Sequence, residues 1–426
     1  MEQMTWRLSD PGMDLLERAG LAGLYMALRA AREANADLSP LEWTDADLTP
    51  DSVTVRWTGP AKPAFVKLME WAWQVREGVL YLPAVHDAKD KSAIQNRVTM
   101  HTGIMRTFLQ HTNVQPKGEP ISRIIKLDED REVSISYQPP IIRISKNSDE
   151  TPKANASDSK KLLKPWKDLN VLFDRRSCFL TEPVQLSNWV YPGIAGRYGG
   201  EGAWEGLPER ALLLMLTPTS CFYQRLQGEG GNWVFVVPDV RNLEEYAAVR
   251  RRMSLKPEFA DVASLGDAGL RFLAEYSTID ARKKLDAWCR VVAMGKVGYY
   301  ASQSIRKSVL EVTPVLSSIR RYRLLQRELP NNYVALNTER PETNDPPKKK
   351  QRKKAATPAV PLENTTKAKG FIKLPAARGR IADNLVNNEP WYSDLSVPQI
   401  WDHDEMERQR KRNPGTSIEK LWFQAL

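Results

Sequence analysis

Residues 13–34, MDLLERAGLAGLYMALRAAREA, set Leu15, Leu16, Ala19, Ala22, Tyr25, Met26 and Leu28 at helical spacing, so a broad face of this helix must be buried. Ser9-Asp10-Pro11 supplies start signals ahead of it. Gly20 and Gly23 sit inside the pattern, where each costs about 1 kcal/mol relative to alanine. A helix that keeps both is expected to have another element packed hard against it.

The rest of the chain must supply that partner. ALLLMLTP (211–218) and NWVFVVPD (232–239) are near-continuous apolar runs and read as buried central strands. VTVRW (53–57) alternates like a strand. PAFVKLMEWAWQVREG (63–78) reads as a helix stopped by Gly78, with VLYLP as a short buried strand after it. A helix is expected within 88–111. ISRIIKL and EVSISY flank Asp128-Glu129-Asp130 as a hairpin, and IIRIS adds a strand. Asn242 and Glu245 make a cap-like start for NLEEYAAVRRRMSL. Further helices are expected over 264–276, 281–294 and 300–329, the last interrupted by Pro314.

These elements predict an α+β fold, with mixed α/β N-terminal and central regions and a helical C-terminal part. Composition divides it. Residues 1–145 form an N-terminal α+β region. The polar, aperiodic stretch 146–161 is a loop or boundary. Residues 162–330 carry central strands followed by helices, 331–370 form a basic low-complexity linker, and 371–426 regain aromatics and should dock on the core.

The net charge of +10 is concentrated rather than spread. Residues 341–380 hold eleven Lys or Arg against three acidic residues, which leaves the rest of the chain close to balance. No run approaches the roughly 18–20 apolar residues that span a bilayer. MEQMTWRLSDPG does not read as a signal peptide, so a soluble cytoplasmic protein without a membrane partner is expected. Cys178, Cys221 and Cys289 form no C-x-x-C pair, and His86, His101, His111 and His403 show no metal-ligand spacing. No nucleophile, zincin or cofactor motif is present. The sequence predicts no catalytic residue, no metal and no cofactor.

Two segments invite a phosphate-bearing partner. YPGIAGRYGGEGAWEG (191–206) places five glycines between Gly196 and Gly206. It lacks the lysine of a P-loop, and Gly200-Glu201-Gly202-Ala203-Trp204-Glu205 fails the third glycine of the dinucleotide fingerprint. What remains is a backbone able to approach closely, carrying Arg197, Tyr198 and Trp204. Those residue types suit sugar-phosphate and base contact, although a loop rich in positive-φ residues would look the same. The second segment is Lys348-Lys349-Lys350-Gln351-Arg352-Lys353-Lys354, six cations in seven positions. Such a run attracts polyanions without reading sequence, or simply keeps a linker solvated. Arg250-Arg251-Arg252 and Arg282-Lys283-Lys284 fall on expected helices and could track phosphates only if they shared a face.

SDPGMDLLERAGLAGLYMALRAA, GRYGGEGAWEG with the following ERALLLMLTPTSCFYQ, and RGRIADNLVNNEPWY (378–392) together resemble the large subunits of type I CRISPR effector complexes, of the Myxan-type subfamily close to subtype I-B. Arg380-Ile381 departs from that pattern, which has an aromatic there, and the Lys-rich run lies outside it. The resemblance implies a non-catalytic prokaryotic cytoplasmic subunit of a crRNA-guided complex. It would inspect duplex DNA for a protospacer-adjacent motif, help open the duplex and support the displaced strand. Implied partners are target double-stranded DNA, crRNA, the backbone, 5′-handle-binding and small subunits, and a recruited helicase-nuclease or, in RNA-guided transposition, an adaptor. On this basis the expected nucleic-acid contacts are Arg197, Tyr198, Gly199, Gly200 and Gly202, then Lys348, Lys349, Lys350, Arg352, Lys353 and Lys354, and more weakly Arg250, Arg251 and Arg252. The rival reading is an interaction protein of another complex with a basic RNA-gathering segment.

Overall fold

A computed structural model describes residues 1–76, 79–86, 94–108, 121–126, 132–137, 141–142, 161–162, 167–186, 204–226, 232–253, 261–277, 288–297, 300–313, 316–328, 334–336, 370–372 and 375–393. It bears out the α+β class. β1 (Glu2–Arg7) leads into α1 (Leu15–Glu33), and β2 (Leu41–Glu42) and β3 (Ser52–Trp57) complete a small antiparallel sheet in the order β1-β3-β2. α2 (Ala61–Ala72), the β4 (Gln74–Arg76) and β5 (Val79–Tyr81) ladder, and α3 (Ile94–Thr107) follow. β6 (Ile121–Lys126) and β7 (Glu132–Tyr137) form the expected hairpin. The helix over 63–78 therefore ends early, at Ala72, and the chain turns into β4.

α1 begins later than its start signals suggest. Asp14 Oδ1 accepts from the Glu17 amide at 2.7 Å, and Glu17 Oε2 accepts from the Asp14 amide at 2.9 Å. This reciprocal capping box fixes the start at Leu15. The two glycines do what their cost implies. Their partners are α4 (Pro208–Leu214) and α5 (Thr217–Ser220), and a Cβ on Gly20 or Gly23 would run into the carbonyl oxygen of Leu213 or Leu216. Thr217 Oγ1 donates to Leu16 O at 2.8 Å and Ser220 Oγ donates to Ala19 O, sealing the approach with buried hydrogen bonds.

The run 211–218 is thus helical, ending α4 at Leu214 and entering α5 at Thr217, which corrects the strand expected there. Its first six residues are only Ala, Leu and Met, all strong helix formers, and Pro208 stands at the first helical turn. The other apolar run does form a strand, because WVFVVP is β-branched and aromatic.

That strand is the middle of a five-stranded sheet. β12 (Phe222–Leu226), β13 (Trp233–Pro238), β14 (Asp261–Val262), β15 (Cys289–Val297) and β16 (Tyr300–Val312) lie in the order β14-β12-β13-β15-β16, antiparallel except for the β12–β14 pair. Alternation sends Phe222 to Phe272 of α7 (Leu265–Tyr276) and Tyr223 to Phe108 beside α3. Both faces are covered, which explains the unbroken apolar sequence of β13. The helices expected over 281–294 and at the start of 300–329 are β15 and β16. Val291, Val292, Ile305, Val309 and Val312 are β-branched, and pairing with β13 overrides the helical reading. Past Pro314 the expectation holds as α8 (Leu316–Glu328).

α6 (Leu243–Met253) starts at Asn242, whose Oδ1 accepts from the Glu245 amide at 2.9 Å. One hydrophobic core runs from Trp6 through α1, the large sheet and α7 to Leu385 of α9 (Pro375–Val386). No helix among the described residues is long and apolar enough to cross a membrane.

Candidate nucleic-acid interface

Three segments singled out by composition leave the fold and return to it through short antiparallel ladders. β10 (Val184–Leu186) pairs with β11 (Trp204–Gly206), with Leu186 opposite Trp204, and so closes residues 187–203. β17 (Val334–Leu336) pairs with β18 (Gly370–Ile372), with Leu336 opposite Gly370, closing 337–369. β8 (Ile141–Ile142) and β9 (Lys161–Leu162) do the same for 143–160. In each case the two ends stand about 5 Å apart, the width of a β-ladder rung.

The root of the glycine-rich segment is firm. Val184 and Leu186 are buried, whereas Gln185 and Glu205, opposite one another, are exposed. β10 lies against α4 and a 3₁₀ turn at Lys167–Leu172, and α4 is the helix locked onto Gly20 of α1. Trp6 Nε1 donates to Glu209 O at 3.1 Å, and Arg210 Nη1 meets Glu17 Oε2 at 3.0 Å. Burial raises the Glu17 carboxyl above the ordinary carboxylate range, although its amide hydrogen bond and Arg210 oppose that shift. α4 thus stands between β10 and α1. Arg197, Tyr198, Gly199, Gly200 and Gly202 lie outside the described residues, as do Lys348, Lys349, Lys350, Arg352, Lys353, Lys354, Arg282, Lys283 and Lys284.

The three consecutive arginines of α6 do not share a face. Arg250 is buried. Its Nη2 donates to Cys221 O at 3.0 Å and lies 3.3 Å from Met100 Sδ, and its guanidinium stands 4.4 Å from the Phe222 ring centroid. Burial lowers its pKa from the ordinary arginine value. Arg251 points elsewhere, with Nη2 2.7 Å from Glu33 Oε2 of α1, and its hydrogen bond holds that carboxyl below the usual range. Arg252 Nη2 donates to Glu275 O of α7 at 3.3 Å. A helix turns each residue by about 100°, so adjacent positions diverge. Arg250 thus serves the core; a row tracking phosphates would need a repeat of three or four.

The sequence did not flag the most buried charge among the described residues. Asp267, near the start of α7, accepts from Arg378 of α9 and from the Tyr322 hydroxyl of α8, the latter at 2.6 Å. Its Oδ2 also accepts from the Ala263 amide at 2.9 Å. Burial alone would raise this carboxyl, but Arg271, Arg378 and the Tyr322 hydrogen bond outweigh it and hold the pKa at about 2. The available signal was Ser264-x-x-Asp267, a cap spacing ahead of an apolar helix. Arg378 opens the RGRIADNLVNNEPWY segment, whose Asn384 Nδ2 also donates to Trp391 O and Ser393 O.

Two histidines are likewise structural. His86 Nδ1 accepts from the Leu82 amide at 3.0 Å and His101 Nδ1 from the Leu80 amide at 3.3 Å. Burial, with Arg97 and Arg250 nearby, drives the His86 pKa well below the ordinary value. Among the described residues no three His, Cys, Asp or Glu side chains converge as metal ligands.

Residues 5–215 match the family model of the DevT N-terminal domain. The matched stretch holds α1, α4, both strands of the β10–β11 ladder and the whole glycine-rich segment between them. Over 410 residues the chain is 26% identical to the CRISPR-associated protein Cas8a1/Csx13 of Myxococcus xanthus (strain DK1622). That similarity covers 92% of this chain and 63% of the relative, so the chain spans less than two thirds of that protein's length.

Proposed function

We propose that this chain is a large subunit of a CRISPR effector complex, of type I and close to subtype I-B, and that residues 187–203 probe duplex DNA for the motif flanking the target. The observation that carries this reading is the glycine-rich segment itself. It lies within the stretch that resembles a CRISPR-associated relative, and it is rooted through β10, β11 and α4 on α1, a helix with a long buried face. A segment without a catalytic motif whose two ends are held by the β10–β11 ladder suits recognition rather than chemistry. Arg197 supplies the charged contact, Tyr198 stacks or wedges, and Gly199, Gly200 and Gly202 allow close approach to a groove. Lys348–Lys354 add sequence-independent attraction for flanking duplex or displaced strand. crRNA and the other subunits of the complex are the expected partners. A helicase-nuclease, or an adaptor if the system guides transposition, acts after recognition.

The test is Arg197→Ala in the assembled complex, with targets that differ only in the flanking motif. If Arg197 reads a base, binding to the correct flank weakens by about 1–3 kcal/mol and discrimination between flanks shrinks. Equal discrimination by both proteins would sink the assignment.

A further inference from the structure

α8 carries its arginines differently from α6. Ser318, Ile319, Tyr322 and Leu325 are buried, while Arg320, Arg321, Arg323 and Leu324 are exposed on the outer side of the helix. From Leu316 to Gln326 there are three arginines and no acidic residue. Arg323 serves the fold, since its Nη2 donates to Ala274 O at 3.1 Å and to Ser277 Oγ at 2.8 Å at the end of α7. Arg320 and Arg321 have no hydrogen-bond or ion-pair partner among the described residues. Adjacent positions diverge by about 100°, but Leu324, one turn on, falls between these two, so all three belong to a single exposed arc.

An aromatic ring stands at the same end of the helix pair. Ser318 Oγ, at the start of α8, donates to Leu385 O at the end of α9, at 3.1 Å. Tyr322, one turn further along α8, meets Arg378 near the start of α9. The two helices therefore run antiparallel, and the corner that follows α9 lies towards the first turns of α8. That corner is firmly held. Asn384 Nδ2 donates to Trp391 O at 3.1 Å and to Ser393 O at 2.7 Å, and the Ser393 amide donates to Pro390 O at 2.9 Å. Trp391 packs against the core and meets Tyr392 edge-on at 5.4 Å between ring centroids. Tyr392 itself is 60% exposed, an aromatic ring presented to solvent on a fixed backbone.

We infer that this end of the α8–α9 pair holds the displaced DNA strand, with Arg320 and Arg321 on its phosphates and Tyr392 stacked on a base. Charge complementarity selects a polyanion, and guanidinium groups suit phosphate oxygens in particular. The ring selects a single strand, because duplex bases are already stacked on one another and a free strand offers its base faces. DNA is the strand set free when a target duplex opens, so the assignment rests on the function proposed above. The surface lies beyond residues 5–215, the stretch matched by the DevT N-terminal domain, and is separate from residues 187–203.

The experiment titrates the full chain with a fluorescent mixed-sequence single-stranded DNA, and with its duplex, across a salt series. Arg320→Gln combined with Arg321→Gln removes two phosphate contacts. It should lower the slope of log affinity against log salt by about 1.4, and affinity at about 0.1 M salt by about 20-fold. Tyr392→Ala should weaken single-strand binding by about 5-fold or more with the slope unchanged, and leave duplex binding as it was. Tyr392→Phe keeps the ring and should bind as wild type does. Unchanged thermal melting of the arginine variant and of Tyr392→Phe separates a lost contact from a lost fold. In the assembled complex, a benzophenone side chain placed at position 392 should crosslink to the displaced DNA strand. Wild-type slope and affinity in the arginine and alanine variants overturn the inference. So does a Tyr392→Ala loss as large on duplex as on single strand, or a crosslink to guide RNA, target strand or another subunit in place of the displaced strand. Flank discrimination that depends on Arg197 is measured separately, so either site can fail without the other.

Discussion

Arg378 of α9 forks onto Asp267 of α7, its Nη2 2.9 Å and its Nε 3.1 Å from Oδ1, and both side chains are essentially without solvent contact. The pair joins elements more than a hundred residues apart, and Tyr322 of α8 closes it into a three-helix latch. Arg378→Leu should therefore destabilise by about 3–5 kcal/mol, because it strands a buried carboxylate. Asp267→Asn with Arg378→Leu should recover part of that loss, and a chemical-denaturation double-mutant cycle measures the coupling.

The latch also sets an acid limit. Its carboxyl has a folded pKa of about 2 against an ordinary 3.8. A depressed carboxyl stabilises the fold fully above its unfolded value and loses that contribution as pH falls through the folded one. Stability should thus decline between about pH 4 and pH 2. The Asp267→Asn variant should show a flatter profile in that window, read by melting at each pH.

His86 works at milder pH. It is buried neutral, with Nδ1 committed to the Leu82 amide, while the unfolded chain protonates it near its ordinary value of 6.5. Protons therefore favour the unfolded state as pH falls below about 6.5. His86→Gln should start less stable but lose less melting temperature between pH 7 and pH 5 than wild type.

Gly20→Ala and Gly23→Ala test the helix junction by the sign of their effect. In an exposed helix the change gains up to about 1 kcal/mol. Here the new methyl meets the Leu213 or Leu216 carbonyl, so each should destabilise by about 1–3 kcal/mol. A raised melting temperature would mean that α1 and α4–α5 are not in this contact.

Arg250→Ala and Arg251→Ala, one residue apart, should differ sharply. The first removes packing between Met100, Phe222 and Cys221 and should cost at least about 2 kcal/mol. The second breaks an exposed pair with Glu33 and should cost less than about 1 kcal/mol. Differential scanning calorimetry distinguishes them.

The legible parts of the fold are those with a local signature. α1 and α7 announce themselves by period, α6 by its Asn242 cap, and β13 by β-branched and aromatic residues. ALLLML misleads because an unbroken apolar run has no period, and only the absence of β-branched residues separates a buried helix from a strand. β15 and β16 carry mixed polarity and gain their identity from β13, a partner the local sequence does not show. Composition alone flagged the glycine-rich and lysine-rich segments. Their closure by VQL with WEG, and VAL with GFI, was hidden because three residues are too few for alternation to register. Asp267 and Arg378 stayed hidden for a different reason: their meaning lies in a contact between distant helices.

The ladders that close 143–160, 187–203 and 337–369 make each of those segments a cassette. With both ends about one rung apart, residues can be added or removed inside without altering where the chain re-enters the fold. The entropic cost of length rises only logarithmically, about 0.6 kcal/mol per doubling. A change of length within such a segment therefore need not disturb the core that presents it. Exchanging such a segment between relatives should transfer its contact preference while α1, the sheet and the latch stay as they are.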